Sequence, residues 1–321
     1  MSDSVSIIGA GPAGAAAALA VVTAGGRALV YEQSAFPRHK VCGEFFTPEI
    51  IPLLEQIGLA GEFRALLPAV VSRAELHFDG RCRRFRLPEP ALGLSRWTFD
   101  DFLLRAAVSR GASLRRERAP ALPGAIRAAG RAAASPRGRR LFGFKAHFSG
   151  PASDAVELFF FSGGYCGLCP IERGLTNVCG LIDEARFRDC AFDAGALLDR
   201  LPRLSSRLHA LHRRSSWLLT GPLRFGRAPH RTLAAGDAAC FLDPFTGSGL
   251  LAAVQTGLWA GQAALRPSDG PAWYRRRCSS FYRRQLAASA IARRLLSLGC
   301  AEHLAAFLPG ALLFRLTRPA G

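Results

Sequence analysis

Val5-Ser6-Ile7-Ile8-Gly9-Ala10-Gly11-Pro12-Ala13-Gly14 is the stretch that decides the fold. Val5, Ile7 and Ile8 make a short apolar run, which predicts a buried parallel strand. Gly9 permits the tight turn that must follow. Gly11 lets a pyrophosphate approach the backbone, and Gly14 lets the next helix pack on the strand. Pro12 and Ala13 suit a first helical turn, where a missing N–H costs nothing. The Ala-rich helix runs to about Ala24, and Gly25-Gly26 closes it. A second strand, 28–31, ends at Glu32, 18 residues past Gly14. An acid there accepts hydrogen bonds from a ribose. The helix N-terminus adds partial positive charge for phosphates. Strand, loop, helix, strand and acid in this order predict a dinucleotide site.

A second glycine-rich element lies more than two hundred residues downstream. Gly236-Asp237-Ala238-Ala239 runs on through Asp243-Pro244-Phe245-Thr246-Gly247-Ser248-Gly249. Alone, Gly236-Asp237 reads as a turn or a helix cap. With the N-terminal loop it implies one cofactor held from both ends of the chain, and FAD is the cofactor expected.

Composition sets bounds on the rest. The 321 residues suffice for a sizeable core and two domains, and the 49% hydrophobic fraction is that of a globular protein. The first apolar run is the nucleotide strand, with no basic region before it, so no secretory signal is expected. Nine cysteines are then expected to be reduced thiols in a cytoplasmic setting. The net charge is +18, yet only Lys40 and Lys145 are lysines, so forty of the 42 basic residues are arginine. Arginine scattered this widely reads as a compositional habit, and no nucleic-acid partner is expected. The run Leu250 to Leu265 contains Gln255, Gln262 and two glycines, which predicts a buried helix instead of a membrane span.

After Glu32 comes a loop, Phe36 to Phe46, with two strong cations, Arg38 and Lys40, and a Cys42-Gly43 turn. A helix is predicted over about 48–57, a hairpin around Asp79-Gly80, and a helix from Arg96 to about Arg110. Residues 115–140 carry almost no long apolar side chains and read as a loop or weakly structured connection. Strands are predicted over 141–149, 157–161 and 176–182, with a further one after Gly163-Gly164-Tyr165. A helix over 191–211 and amphipathic helix from Ala272 follow.

Together these stretches resemble the flavoprotein monooxygenase superfamily of the para-hydroxybenzoate hydroxylase type, and within it the geranylgeranyl reductase-like branch. The resemblance rests on Gly9–Gly14 with Glu32, Pro37–Glu44, Arg96–Asp100, Gly163–Pro170 and Gly236–Gly249. It implies an α/β fold: a Rossmann-type FAD-binding domain interleaved with an antiparallel β-sheet substrate domain, then C-terminal helices. The division expected is 1–68, 95–140 and 222–265 for the FAD-binding parts, 69–94 and 141–221 for the sheet, and 266–321 for the closing helices. By resemblance Gly9, Gly11 and Gly14 meet the pyrophosphate and Glu32 the ribose. Arg96 lies near the phosphates and ribityl chain, Asp237 bonds ribityl hydroxyls, and Gly247, Ser248 and Gly249 face the flavin with Pro244 before them. Arg38 and Lys40 are candidates for phosphate or substrate carboxylate, and Cys42 is the candidate catalytic residue. Superfamily members carry further strands and an Ala-Asp-Gly turn between the Arg96 helix and the sheet. Residues 115–140 are too short for that and contain no Asp-Gly, which implies a weakened cofactor grip.

The function expected is an FAD-dependent oxidoreductase acting on a hydrophobic small molecule, by geranylgeranyl reductase-like double-bond reduction. A hydroxylase using NAD(P)H and oxygen is the first alternative, and a binding protein that has lost its cofactor is the second. No second G-x-G-x-x-G is present, so NAD(P)H would bind transiently. The tryptophan-rich motif of flavin-dependent halogenases is absent. Cys166-Gly167-Leu168-Cys169 lacks a second ligand pair, so no metal is expected. Lys145 reads as a snorkelling strand residue. Ser280 to Phe314 alternates apolar runs with arginines, for which at most weak peripheral membrane contact is expected.

Overall fold

The computed structural model describes residues 4–78, 80–131, 140–223, 225–227 and 233–297. The first half contains β1 (Val5–Ile8), α1 (Pro12–Thr23), β2 (Ala28–Tyr31), β3 (Phe45–Phe46), α2 (Ile50–Gln56) and α3 (Ala60–Ala65). It continues with β4 (Ala69–His77), β5 (Cys82–Gly93), α4 (Arg96–Ser109), β6 (Ser113–Arg115) and β7 (Ile126–Arg127). Then come β8 (Leu141–Ser149), β9 (Ala155–Phe161), β10 (Gly164–Ile171), β11 (Leu175–Asp183), α5 (Glu184–Arg188), α6 (Ala194–Asp199) and α7 (Pro202–His209). The last elements are β12 (His212–Arg213), β13 (Leu218–Leu223), β14 (Gly226–Arg227), β15 (Cys240–Phe241), α8 (Gly249–Ala264) and α9 (Gly270–Ser297).

The apolar run at Val5 becomes the centre of a parallel sheet ordered β6-β2-β1-β7. Its last strand corrects the reading of 115–140 as a mere connection. Ile126 pairs with Ile7 and Arg127 with Ile8, and the Ala128 N–H donates to the Ile8 carbonyl at 2.8 Å. The Ala-Ile-Arg stretch carries too few apolar residues for a strand signal, but one fully buried Ile126 in register with Ile7 is enough to hold it. Residues 132–139 lie outside the described part.

Helix α1 is buried along almost its whole length, which its alanine content allows. Its outer face meets α8 at very short range. A Cβ on Gly257 would lie 2.2 Å from the Ala13 carbonyl oxygen, and one on Gly261 2.4 Å from that of Ala17. The glycines of the 250–265 run are therefore there for helix–helix approach, and the predicted buried helix is found.

The second sheet is ordered β12-β8-β11-β10-β9-β4-β5-β3, with β13 also on β8. It is mixed where an antiparallel sheet was expected, because β4 and β9 run parallel. After β5 the chain leaves to build α4, β6 and β7, then re-enters at β8. That excursion brings β9 alongside β4 in the same direction, which no hairpin could do. One face packs on α5, α6 and α7 through Phe144, Phe148, Leu168, Val178 and Phe187. The helix expected over 191–211 is two helices, because Pro202 starts α7 at a first-turn position where its missing N–H is harmless. Helix α9 buries Tyr274, Cys278, Tyr282, Gln285 and Ser289, and the expected continuation past residue 297 lies outside the described residues. No helix among the described residues is long and apolar enough to cross a membrane.

The helix contact gives a direct test. Alanine for glycine inside a helix ordinarily gains up to ~1 kcal/mol of propensity. Here Gly257→Ala and Gly261→Ala are each expected to destabilise by about 1–3 kcal/mol, because the added methyl forces α1 and α8 apart. Thermal melting of each variant checks this, and a raised melting temperature would show the contact to be slack.

Candidate functional site

A cavity of about 970 Å³ is lined by residues of both large sheets. The two glycine-rich ends of the chain form its floor. Gly9, Gly11, Pro12, Ala13 and Glu32 come from the β1–α1–β2 unit, and Gly236, Asp237, Pro244, Gly247 and Gly249 from the segment that leads into α8. Arg38, Lys40, Cys42 and Arg96 line one side, and Ala128 to Arg131 the other. Two of the expected residues stand back from it. Gly14 is at the strand–helix contact, where a Cβ would sit 1.8 Å from the Gly9 carbonyl oxygen. Ser248 is fully buried, with its Oγ 3.5 Å from Gln285 Oε1.

The floor fits a dinucleotide in three observable ways. At Gly11 and Gly249 a Cβ would meet nothing within 4 Å, so the backbone is open to the cavity. Neither Gly11 nor Ser248 caps its helix with a side chain, which leaves the first N–H groups of α1 and α8 without a side-chain acceptor. Arg38 Nε and Thr47 Oγ1 are buried, lack a hydrogen-bond partner among the described residues and belong to cavity-lining residues. Such orphaned groups in a polar cleft await a ligand.

Glu32 is committed to the loop itself. Its carboxylate accepts from Ala10 N at 3.0 Å, from Ser34 N at 2.8 Å and from Arg38 Nη2 at 3.3 Å. Asp237 is half-buried, and burial pushes its carboxyl up against the opposing pull of Arg96, Arg131 and Lys40. Arg96 is pinned by a bidentate pair to buried Asp100, at 2.6 and 2.7 Å. Ser95 caps α4, and Glu172 secures that cap by accepting from Ser95 N at 2.8 Å, Ser95 Oγ at 2.5 Å and Thr98 Oγ1 at 2.7 Å. Lys40 is pushed down, chiefly by burial and then by Arg38 and Arg96. Burial pushes the Cys42 thiol up, so it is held protonated at neutral pH and is no thiolate nucleophile.

The Ala-Asp-Gly turn sought between α4 and the mixed sheet has a counterpart here in Ala128-Ala129-Gly130, directly after β7. Gly130 has φ +80° and the turn lines the cavity. Ala129 offers a methyl where the acid was sought, and Arg131 adds a guanidinium that reaches Thr220 Oγ1.

The roof is one face of the mixed sheet. Ala74, Leu76, Phe85, Leu87, Val156, Leu158, Phe160, Cys169, Cys179 and Leu181 line the cavity, and none carries a charge. Phe160, Tyr165 and Phe245 meet at one end, with ring centroids 5.5 to 6.4 Å apart. At the other end the same face turns polar. Cys179 pairs with Lys145 and Asn177 with His147, so both β8 side chains share the cavity face. The structure overturns the snorkelling reading of Lys145, which is 1% exposed and ion-paired with Glu44. Its neighbours on the strand, Phe144 and Ala146, fill the opposite core, so Lys145 faces the cavity side of the sheet. Glu44 also accepts from His147 at 2.7 Å and from Arg96 N at 2.6 Å. Burial pushes the Glu44 carboxyl up, but His147 and Lys145 outweigh it and hold it below the usual carboxylate range.

Cys166 and Cys169 lie three apart on β10 and face opposite sides, one in each core, so they cannot share a metal. Glu75, His77 and Cys82 do converge at the β4–β5 hairpin, where Arg84 Nε already occupies Glu75 Oε2 at 3.0 Å.

Residues 2–121 match the family described as FAD binding domain. The chain has the fold of FAD-binding flavoproteins. Its fold overlaps the flavin-dependent brominase Bmp2 at TM-score 0.80, with 18% identity over 98% of this chain and 92% of that one. A geranylgeranyl bacteriochlorophyll reductase-like protein from Thermoplasma acidophilum overlaps at TM-score 0.76, with 18% identity over 94% of this chain and 89% of that one. In sequence, a menaquinone reductase of Mycobacterium tuberculosis is 47% identical over 58 residues, 18% of this chain. One from Mycolicibacterium smegmatis is 43% identical over 56 residues, 17% of this chain. These matches span only 14% of the length of either curated relative.

Two outcomes test the site. Asp237→Ala is expected to weaken FAD binding by about 1–3 kcal/mol, because ligand hydroxyls lose their acceptor. Its raised pKa means the folded chain binds that proton more readily than the unfolded chain, so ionisation costs stability as pH rises. The cofactor-free variant should therefore melt no lower than the parent at neutral pH. Lys145→Met strands a buried carboxylate and is expected to cost about 3–5 kcal/mol. Because Glu44 is held low, the stability it lends is present at neutral pH and lost as pH falls through its folded-state pKa, which lies below the usual carboxylate range. The acid limb of the melting profile should flatten in the Lys145→Met variant.

Proposed function

We propose that this chain is an FAD-dependent oxidoreductase acting on a hydrophobic small molecule, by geranylgeranyl reductase-like reduction of a double bond. One observation carries the reading: a glycine-lined polar floor and an uncharged sheet face enclose the same cavity. Bound there, FAD would supply two-electron chemistry, with NAD(P)H as a transient reductant.

The chain's own residues divide the remaining work. The open N-termini of α1 and α8 favour negative charge at the floor. Arg38 and Lys40 add cations beside them, and Asp237 offers an acceptor for hydroxyls. The apolar roof excludes water and takes up an aliphatic or aromatic substrate. Cys42 holds a neutral thiol proton at the cavity wall, where a reduced substrate carbon would need one. The name of the curated relatives, menaquinone reductase, fits such an apolar substrate. The exposed arginines Arg275, Arg276, Arg277 and Arg283 of α9 fit weak, salt-sensitive contact with an anionic membrane at most.

One observation favours a different reading. Ala129 removes an acid from the cavity wall, which suits a binding protein that no longer holds FAD. Purification from a flavin-supplemented culture separates the two. The enzyme reading expects a yellow protein whose melting temperature rises with FAD, by about 2.7 kcal/mol of stability at a hundred times the dissociation constant. A colourless protein with no FAD-dependent shift would support the remnant. For a yellow protein, anaerobic product formation from NAD(P)H assigns reduction, and a strict oxygen requirement assigns hydroxylation.

A further inference from the structure

The polar corner of the roof has an arrangement that binding a cofactor does not explain. Three ionisable side chains, Glu44, Lys145 and His147, are buried there at 0%, 1% and 6% exposure. Burying charge is costly, and clusters of this kind persist where they fix something. Composition sharpens the point. In a chain that uses arginine for forty of 42 basic positions, the buried cation here is one of only two lysines. Lys145 Nζ donates to the Lys40 carbonyl at 3.1 Å as well as to Glu44 Oε1. A compact ammonium has three donors to spread over a carboxylate and a carbonyl, where a flat guanidinium would overfill the space.

Glu44 is the centre of this corner. It has φ +55°, a left-handed conformation that is strained for a side chain of its size. Its carboxylate joins three elements: β8 through Lys145 and His147, α4 through Arg96 N, and its own loop. Its backbone is tied as well, since Leu94 N donates to Glu44 O at 3.1 Å and Glu44 N donates to Cys42 Sγ at 3.4 Å. Asn177 Nδ2 donates to the Cys42 carbonyl at 2.9 Å. The His39 ring packs edge-on against His147 at 5.1 Å and lies over Trp97 at 4.8 Å, closing the corner from outside.

We propose that Glu44 is the positioning residue of the cavity loop: clamped by Lys145, His147 and the Arg96 N–H, it holds the Lys40–Cys42 stretch against the cavity wall. Glu44 borders the cavity, but its side chain is fully buried and its carboxylate is taken up by Lys145, His147 and Arg96 N. It acts through Cys42 and Lys40, whose backbone it fixes and whose side chains line the cavity. The same clamp keeps the Lys145 ammonium, which shares the cavity face with Cys179, from entering an otherwise apolar roof. This inference deepens the reading of the cavity as an FAD site, and its principal readout needs no FAD.

The test is site-resolved alkylation of cofactor-free protein by iodoacetamide, followed by mass spectrometry, with exposed Cys82 as internal reference. In Glu44→Gln the Cys42 rate, relative to Cys82, is expected to rise at least tenfold, and affinity for added FAD to fall at least tenfold. The double variant Glu44→Gln/Lys145→Met removes the stranded ammonium. It is expected to recover melting temperature without recovering Cys42 protection. Recovery of both would show that Glu44 only neutralises Lys145 and would overturn the proposal, as would unchanged Cys42 protection in Glu44→Gln. His147→Phe keeps the ion pair and removes one clamp contact, so it decides the matter if the other variants do not fold. Cys42 protection falling with melting temperature nearly unchanged supports positioning, and unchanged protection refutes it. If FAD fails to bind even the parent, the cofactor reading falls while the alkylation result still stands.

Discussion

The contact between α1 and α8 is the constraint on which the remaining structure depends. Ala13 and Ala17 lend carbonyl oxygens to a surface that only Gly257 and Gly261 can approach, at distances no Cβ tolerates. That approach fixes the two glycine-rich loops side by side, although more than two hundred residues separate them. Each helix N-terminus then points at the same space. A cofactor floor made from both ends of a chain requires such a contact, because neither loop alone surrounds a ligand.

The second constraint is electrostatic. The roof of the cavity is uncharged over most of its area and ends in a corner where Lys145 and His147 share the inward face. Left unpaired, an ammonium there would be among the costliest groups in the molecule. Glu44 resolves this, and the solution draws the cavity loop down on the sheet and ties it to α4. Glu172 does a similar service at the other side of the α4 N-terminus, where it holds Ser95 and Thr98. Two carboxylates from distant parts of the chain thus set where Arg96 begins its helix, in keeping with the favourable placement of acids at helix N-termini.

Between α4 and β8 the chain departs from the pattern its sequence resemblance implied, and the structure shows what stands there in place of the expected strands. A two-residue strand, β7, restores the neighbour that β1 requires, and Ala128-Ala129-Gly130 makes the turn after it. The sheet is thereby completed, and the wall beside it presents the Ala129 methyl and Arg131. The architecture needs the hydrogen bonds of β7 and one buried Ile126, not a long apolar run, which is why so poor a segment suffices.

The sequence by itself determined what rests on local spacing. Gly9, Gly11, Gly14 and Glu32 are legible because turn, close approach, helix packing and acid follow each other within one βαβ unit. Gly247 and Gly249 are legible because few other residues open a backbone at a helix start. The alternation of β8 also held the information that Lys145 and His147 face away from Phe144 and Phe148. What that inward face would meet was not local. The partner, Glu44, is about a hundred residues away, and only the return of β8 beside β11, beneath the cavity loop, brings them together. The parallel pairing of β4 with β9, the strand made from Ile126 and the burial of Lys145 were decided in the same way. Each depends on which segments the folded chain brings into register, and the energy that selects them comes from contacts between residues far apart in sequence.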